Sequence, residues 1–443
     1  MLLFVLLASM AIVASSAESG TSVQTKARKI RHQKAHGSEN DAARDHARKV
    51  NKHIVSTLKE SPYYKKAAAQ HRAERVRHGL SPEIVPHVEY VRMRDGTELF
   101  TEYWDPRIDP LKQVPTVLVR SPYGILGTEN MADLYLPFGY VAVEQNQRGT
   151  GASGGDFCFW MTSRFDGTDT FDWIVSQEWS NGQVFEIGAS ADGILSTMDM
   201  KLPQPHLFGQ WLMITTSSPY DTLFQNRQAI RQALAKDWLA VIQSNRPKLP
   251  AGTYYNTALR NEGYSSHYTP PGFNCDGFFN WPNITVSGDD FKNVNFPAIH
   301  SGGWYDIFLA PQIRNYENYQ HNSSVGALDQ QQLVIGPRGH CFFETTVSFP
   351  DDRFAWLWSY ERSLDIFKNQ VDPKTRASMP KSPAETFYPG EAPREKITLY
   401  VMGPDSRYYG DEEGALKSVT GMYWSSIKGE CAARVTISRH SVT

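Results

Sequence analysis

Past residue 17 the sequence has no apolar run approaching the roughly 20 residues that a bilayer span needs, which leaves no downstream candidate for a membrane-spanning helix. Charge of one sign is also missing. Lys and Arg number 45 against 47 Asp and Glu, a formal net charge of −2, so the overall balance points neither to nucleic acid nor to an acidic membrane surface. Cysteine is scarce: the four residues Cys158, Cys275, Cys341 and Cys431 include no CxxC pair, and the histidines form neither an HExxH pattern nor a Cys/His cluster. That argues against a zinc site, and nothing else in the chain implies a cofactor. No internal repeat is present.

What remains is a chain of 443 residues with 40% hydrophobic and 12% aromatic content, long enough for two or three domains with sizeable cores. Residues 1–17 are apolar and end in Ser15-Ser16-Ala17 before Glu18, which reads as a cleaved signal peptide. The expected location is therefore outside the cell or in the lumen of the secretory or endolysosomal pathway. The sequons at Asn283 and Asn322 agree with it, and in an oxidising compartment the four cysteines allow two disulfides in three pairings, or buried thiols. Residues 18–85 form a polar, basic N-terminal arm. In it Ala43, Ala47, Val50, Ile54 and Leu58 place a thin apolar stripe on a helix that Ser61-Pro62 should stop.

From residue 86 the pattern changes. β-rich runs at 88–93 and 98–104 flank Arg94-Asp95-Gly96-Thr97, a strong hairpin signal. More follow at 116–119, 140–144, 184–187, 207–214, 297–300 and 332–335, with helical patterns between them such as 168–179. Strands alternating with helices predict an α/β fold with a mainly parallel sheet covered on both faces. The alternation breaks at 222–290, where 222–243 reads as helix and the rest as loop. This divides an α/β domain into 86–221 and 291–384 around a helical cap over the carboxyl ends of the strands. Residues 385–443 return to short strands and read as a separate β segment.

Chemistry concentrates at three strand ends. Gly188-Ala189-Ser190-Ala191-Asp192-Gly193 follows one strand and opens a helix, so Ser190 would stand on a tight turn with the helix N-terminus facing any oxyanion formed on it. A serine hydroxyl needs a base, and the base needs an orienting group. Asp306 ends Gly302-Gly303-Trp304-Tyr305-Asp306 and His340 ends Gly336-Pro337-Arg338-Gly339-His340, each just past a strand. The order Ser, Asp, His is that of the α/β-hydrolase fold. Each residue has a plainer reading as well: Asp306 could cap a helix, His340 could be a surface loop residue, and His300 is a rival base. His300 should lie inside a strand, where the pleat fixes its direction, which favours His340.

These motifs, with Met93-Arg94-Asp95-Gly96, Arg120-Ser121-Pro122-Tyr123, Gln145-Asn146-Gln147-Arg148-Gly149-Thr150-Gly151-Ala152-Ser153-Gly154, Trp179-Ser180-Asn181-Gly182 and Tyr400-Val401-Met402-Gly403, run in one order over residues 88–405. In them the chain resembles the X-Pro dipeptidyl-peptidase and cocaine esterase family of serine hydrolases. The resemblance implies an α/β-hydrolase with a helical cap and a jelly-roll-like C-terminal segment. It also implies Ser190 as nucleophile, His340 as base, Asp306 as its orienting acid, and an oxyanion hole made by the Tyr123 phenol and the Ala191 backbone N–H. Trp304 and Trp160 are the candidates for the substrate pocket. Three departures stand out: Ala191 where the family usually has Tyr, Asn146 where it usually has Asp, and a C-terminal segment of about sixty residues where the family's β-sandwich needs about two hundred.

The expected activity is cleavage of a small acyl ester, an amide or a short peptide, with no nucleic acid or membrane partner after leader cleavage. A dipeptidyl aminopeptidase would need acidic groups such as Asp221 or Glu262 facing the serine to hold a free ammonium. The alternative class is a catalytically silent α/β-hydrolase acting as a secreted binding module.

Overall fold

A computed structural model of the chain describes Lys52, residues 54–124, 131–225, 229–243, 252–261, 285–328, 330–340 and 354–383, Glu385, and residues 397–402, 422–427 and 437–439. The leader, most of the arm, Asn283, Glu262, Cys275, Cys341 and Cys431 lie outside the described residues.

In chain order the strands are β1 (His87–Arg92), β2 (Glu98–Trp104), β3 (Val114–Ser121), β4 (Val141–Asn146), β5 (Ser180–Ala189), β6 (Leu207–Met213), β7 (Phe224–Gln225), β8 (Ala229–Ile230), β9 (Ala298–Tyr305), β10 (Gln332–Gly339), β11 (Ile397–Met402), β12 (Met422–Ile427) and β13 (Ile437–Arg439). All but the small β7–β8 hairpin join one sheet in the order β1-β2-β4-β3-β5-β6-β9-β10-β11-β12-β13. Its centre, from β4 to β11, is parallel, and both ends are antiparallel. The Asp95-Gly96 hairpin forms as its turn chemistry dictates, with Gly96 at φ 85°.

The longer helices among the described residues are α1 (Pro62–Arg77), α2 (Ser163–Val175), α3 (Ala191–Met198), α4 (Gln232–Gln243), α5 (Thr253–Asn261), α6 (Leu309–Asn322) and α7 (Phe354–Gln370). Alternation along β3 shows how the sheet sorts them. Leu118 faces a core with Phe171 of α2, Ile194 of α3 and Leu239 of α4; its neighbours Val117 and Val119 face the other core, with Tyr360 and Phe367 of α7. Each fully buried apolar side chain of this kind contributes roughly 1.5–3 kcal/mol, which is why register is firmly set here.

Four local expectations change. The stretch 222–243 is not one helix: a short helical turn and the β7–β8 hairpin precede α4, because the polar residues Gln225 to Gln228 interrupt the apolar period. Ser61-Pro62 ends one helical stretch and also starts α1, since the Ser61 hydroxyl accepts the Tyr63 and Tyr64 N–H groups and Pro62 takes the first turn. Sequence missed α1 because PYYKKAAAQHRAERVR carries no clear apolar stripe. The arm is also less solvated than its composition suggests: Val55 and Leu58 are fully buried in the second core. Finally, β11 pairs in parallel with β10, so the described C-terminal strands continue the central sheet instead of standing apart from it.

The motif residues Arg120 and Arg148 are structural. Arg120, at the end of β3, reaches Asp199 at 2.9 and 3.1 Å with both side chains fully buried, and Glu186 lies beside them. Arg148 joins Asp166 to Asp95 of the hairpin turn. Replacing Arg120 by Met leaves two buried acids without their cation and is expected to destabilise the fold by about 3–5 kcal/mol, read as a shift of the urea unfolding midpoint. An unchanged midpoint would remove Arg120 from this role.

Candidate active site

Ser190 sits between β5 and α3 with φ 56° and ψ −121°, a conformation rarely open to a residue with a side chain. The turn is over-determined. The Ser190 N–H donates to the Met213 carbonyl at 2.9 Å, and Thr215 Oγ1 donates to the Ser190 carbonyl at 2.8 Å. Close packing completes it, since a Cβ added at Gly193 would lie 2.8 Å from the Gly188 oxygen. The strain turns the hydroxyl out of the sheet, and the first N–H groups of α3, beginning with Ala191, have no carbonyl of a preceding turn to bond.

The other two strand ends meet it. Ser190 Oγ lies 2.7 Å from His340 Nε2, and His340 Nδ1 lies 3.2 and 3.3 Å from the Asp306 carboxylate oxygens. Asp306 is fully buried at its side chain and also accepts the Phe308 N–H at 2.6 Å, while the Phe308 ring stands edge-on to the imidazole at 5.1 Å. Thus the two readings of Asp306 coexist: it anchors the entry to α6 and holds the histidine. The crossing is tight, for a Cβ at Gly303 would lie 1.9 Å from the Arg338 oxygen. His300, the rival, is fully buried within β9 against Tyr316 and Tyr319, and burial pushes its imidazole down to about 3. It stays neutral inside the core.

Tyr123 follows β3, which neighbours β5, and is half-buried. Its N–H donates to Ser121 Oγ at 3.2 Å, and Ser121 in turn hydrogen-bonds the Asp192 carboxyl one residue beyond Ala191. This ties the tyrosine's turn to the first turn of α3. Desolvation raises the Asp192 carboxyl to about 7, with the Ser121 contact opposing the shift. The tyrosine's phenolic oxygen accepts the Trp238 Nε1–H of α4 at 3.1 Å. Sequence reading missed Trp238 and Thr215 and noted Asp192 only as part of the Ser190 motif; Thr215, two residues past the strand beside β5, carried a positional signal.

The pocket candidates divide. Trp304 is half-buried just before Asp306, between the second core and a smaller cluster. Trp160 is 1% exposed and packed in the first core, so it is not an open pocket wall; it lies under Trp238, their rings parallel within 8° at 5.5 Å. Asn146 is buried at the end of β4, where its carbonyl accepts the Ser153 hydroxyl. Cys158 is disulfide-bonded to a partner outside the described residues. Asn322 is exposed at the last residue of α6, not in a loop. The Asp221 side chain lies outside the described residues.

Residues 95–342, which contain every one of these site residues, match the family described as X-Pro dipeptidyl-peptidase (S15 family). The chain belongs to that family. It is 26% identical over 359 residues to cocaine esterase of Rhodococcus sp. (strain MB1 Bresler), an alignment that covers 71% of this chain and 58% of that protein. Among solved structures it is similar to an aminopeptidase from the marine sediment archaeon Thaumarchaeota archaeon, at 17% identity and TM-score 0.51, covering 72% of this chain and 57% of that one. A CocE/NonD family hydrolase from Staphylococcus aureus is similar at 16% identity and TM-score 0.51, covering 72% and 54%. These likenesses show an α/β-hydrolase fold, and the chain spans a little over half the length of each of these relatives.

Proposed function

We propose that this member of the family is a serine hydrolase that cleaves an acyl ester or amide through an acyl-enzyme. The observation that carries the reading is the 2.7 Å contact between Ser190 Oγ and His340 Nε2, with Asp306 behind the other ring nitrogen. Ser190 Oγ attacks the carbonyl carbon while His340 Nε2 takes its proton and passes it to the leaving alcohol or amine. Asp306 holds the tautomer with hydrogen on Nδ1 and stabilises the imidazolium. A water molecule, deprotonated by the same imidazole, then releases the acid and restores Ser190. The oxyanion of each tetrahedral intermediate is held by the Ala191 N–H and the Tyr123 phenol. Ala191 supplies a backbone donor, which its departure from Tyr leaves intact. The substrate class we propose is a small acyl ester or an X-Pro peptide, after the named activities of the family and of its esterase relative.

A fluorophosphonate probe tests the reaction type directly. The expected result is stoichiometric labelling at Ser190, abolished in Ser190→Ala and by prior denaturation; a folded, unlabelled protein would favour the silent binding module. Parallel assays of a p-nitrophenyl acyl ester and an X-Pro p-nitroanilide sort the substrate class. We also propose secretion, from the leader and the sequons. N-terminal sequencing of secreted material should then begin near Glu18, and an intact Met1 would count against it.

A further inference from the structure

The Tyr123–Trp238 hydrogen bond joins the nucleophile's neighbourhood to the cap, and its direction is fixed by chemistry. An indole nitrogen only donates, so at this contact the Tyr123 oxygen must be the acceptor. Accepting there aligns the phenol and draws electron density from its O–H, making that hydrogen a stronger donor to whatever it next meets. At 3.1 Å the bond has ordinary N–H···O length.

The indole itself is firmly held. Trp160 stacks flat beneath it, and Trp160 packs on Phe159, which packs on Phe157, which meets Tyr254 of α5 at 5.1 Å. Between the two phenylalanines sits the disulfide-bonded Cys158, and Phe159 keeps a φ of 57° while its carbonyl accepts the Gln147 side-chain N–H. A strained residue, a disulfide and an aromatic stack in four consecutive positions describe a segment held in one conformation. It also accounts for Trp160, which serves from one layer behind the site.

We propose that Trp238 is a positioning residue for the oxyanion hole, acting through Tyr123: its N–H orients and polarises the phenol, so that the donor is complete only when α4 is docked on Trp160. The inference rests on the reading of Tyr123 as an oxyanion donor. Trp238 contributes no group to the reacting atoms. Its effect belongs to the transition state, where charge develops on the carbonyl oxygen, and therefore to kcat more than to KM.

The test is a four-protein cycle on an activated acyl ester: the parent, Trp238→Phe, Tyr123→Phe and the double variant, each checked by thermal melting. Phenylalanine keeps a ring to stack on Trp160 and removes the N–H. In the parent background Trp238→Phe should lower kcat by about threefold to tenfold, the range of one hydrogen bond, with KM within twofold. In the Tyr123→Phe background the same change should alter kcat by less than about 1.5-fold, because no phenol remains to polarise. An equal loss in both backgrounds overturns the proposal and makes Trp238 a packing residue, as does an effect on KM alone. If Tyr123→Phe by itself leaves kcat unchanged, the oxyanion reading has failed and this inference falls with it. A cap distorted by the substitution would show as an equal loss in both backgrounds and count against the proposal.

Discussion

Ser190→Ala is expected to lower kcat on an activated acyl ester by about 10⁴- to 10⁶-fold, and His340→Ala to fall in the same range. The two residues act as one device. Without the imidazole 2.7 Å away the hydroxyl keeps its proton and is a weak nucleophile; without the hydroxyl the imidazole has nothing to activate except water. The double variant should therefore be no worse than either single one. Stability should move little, since Ser190's turn is held by its backbone bonds to Met213 and Thr215, and the His340 side chain is 21% exposed, so water can replace its partner. Steady-state kinetics with thermal melting as control decides it. Near-normal turnover by either variant, or additive losses in the double, would remove the triad.

The second large effect is Tyr123→Phe. The ring would still pack between β3 and the cap, so a purely structural tyrosine would lose little. An oxyanion donor loses roughly 3–4 kcal/mol of transition-state stabilisation, on the order of 10²- to 10³-fold in kcat. Pro122 stiffens the turn that presents the phenol, and the Ser121 link to Asp192 ties that turn to α3. A variant that melts like the parent and loses less than about threefold in kcat would return Tyr123 to the core.

The hairpin at Asp95-Gly96 was legible because two residues carry its turn chemistry, and a sheet covered on both faces because strands alternate with helical patterns; apolar runs such as Val117, Leu118 and Val119 then send neighbouring side chains into the two cores. Helix α1 was not legible. Its place comes from contacts far along the chain, such as the Ser61 hydroxyl with Glu361 and the Tyr63 phenol with the Pro383 carbonyl, and no local pattern encodes them. Trp160 failed for a related reason: an aromatic residue near a site reads the same whether it faces substrate or supports the residue that does.

By itself, the sequence determined that Ser190, Asp306 and His340 each follow a strand, in the order this fold uses, because each of those strand ends is announced by its own glycine-rich turn. Tertiary structure alone decided that the Trp238 indole donates to the Tyr123 oxygen, and it put a distance on the contact of His340, which strand position had already favoured, with the serine. His300 and His340 flank the same aspartate in sequence. Only the sheet buries the first among tyrosines and carries the second across to Ser190, 150 residues away in the chain. Turn and pleat are short-range properties of the backbone, whereas a hydrogen bond between remote side chains exists only once the sheet and the cap have brought their elements together.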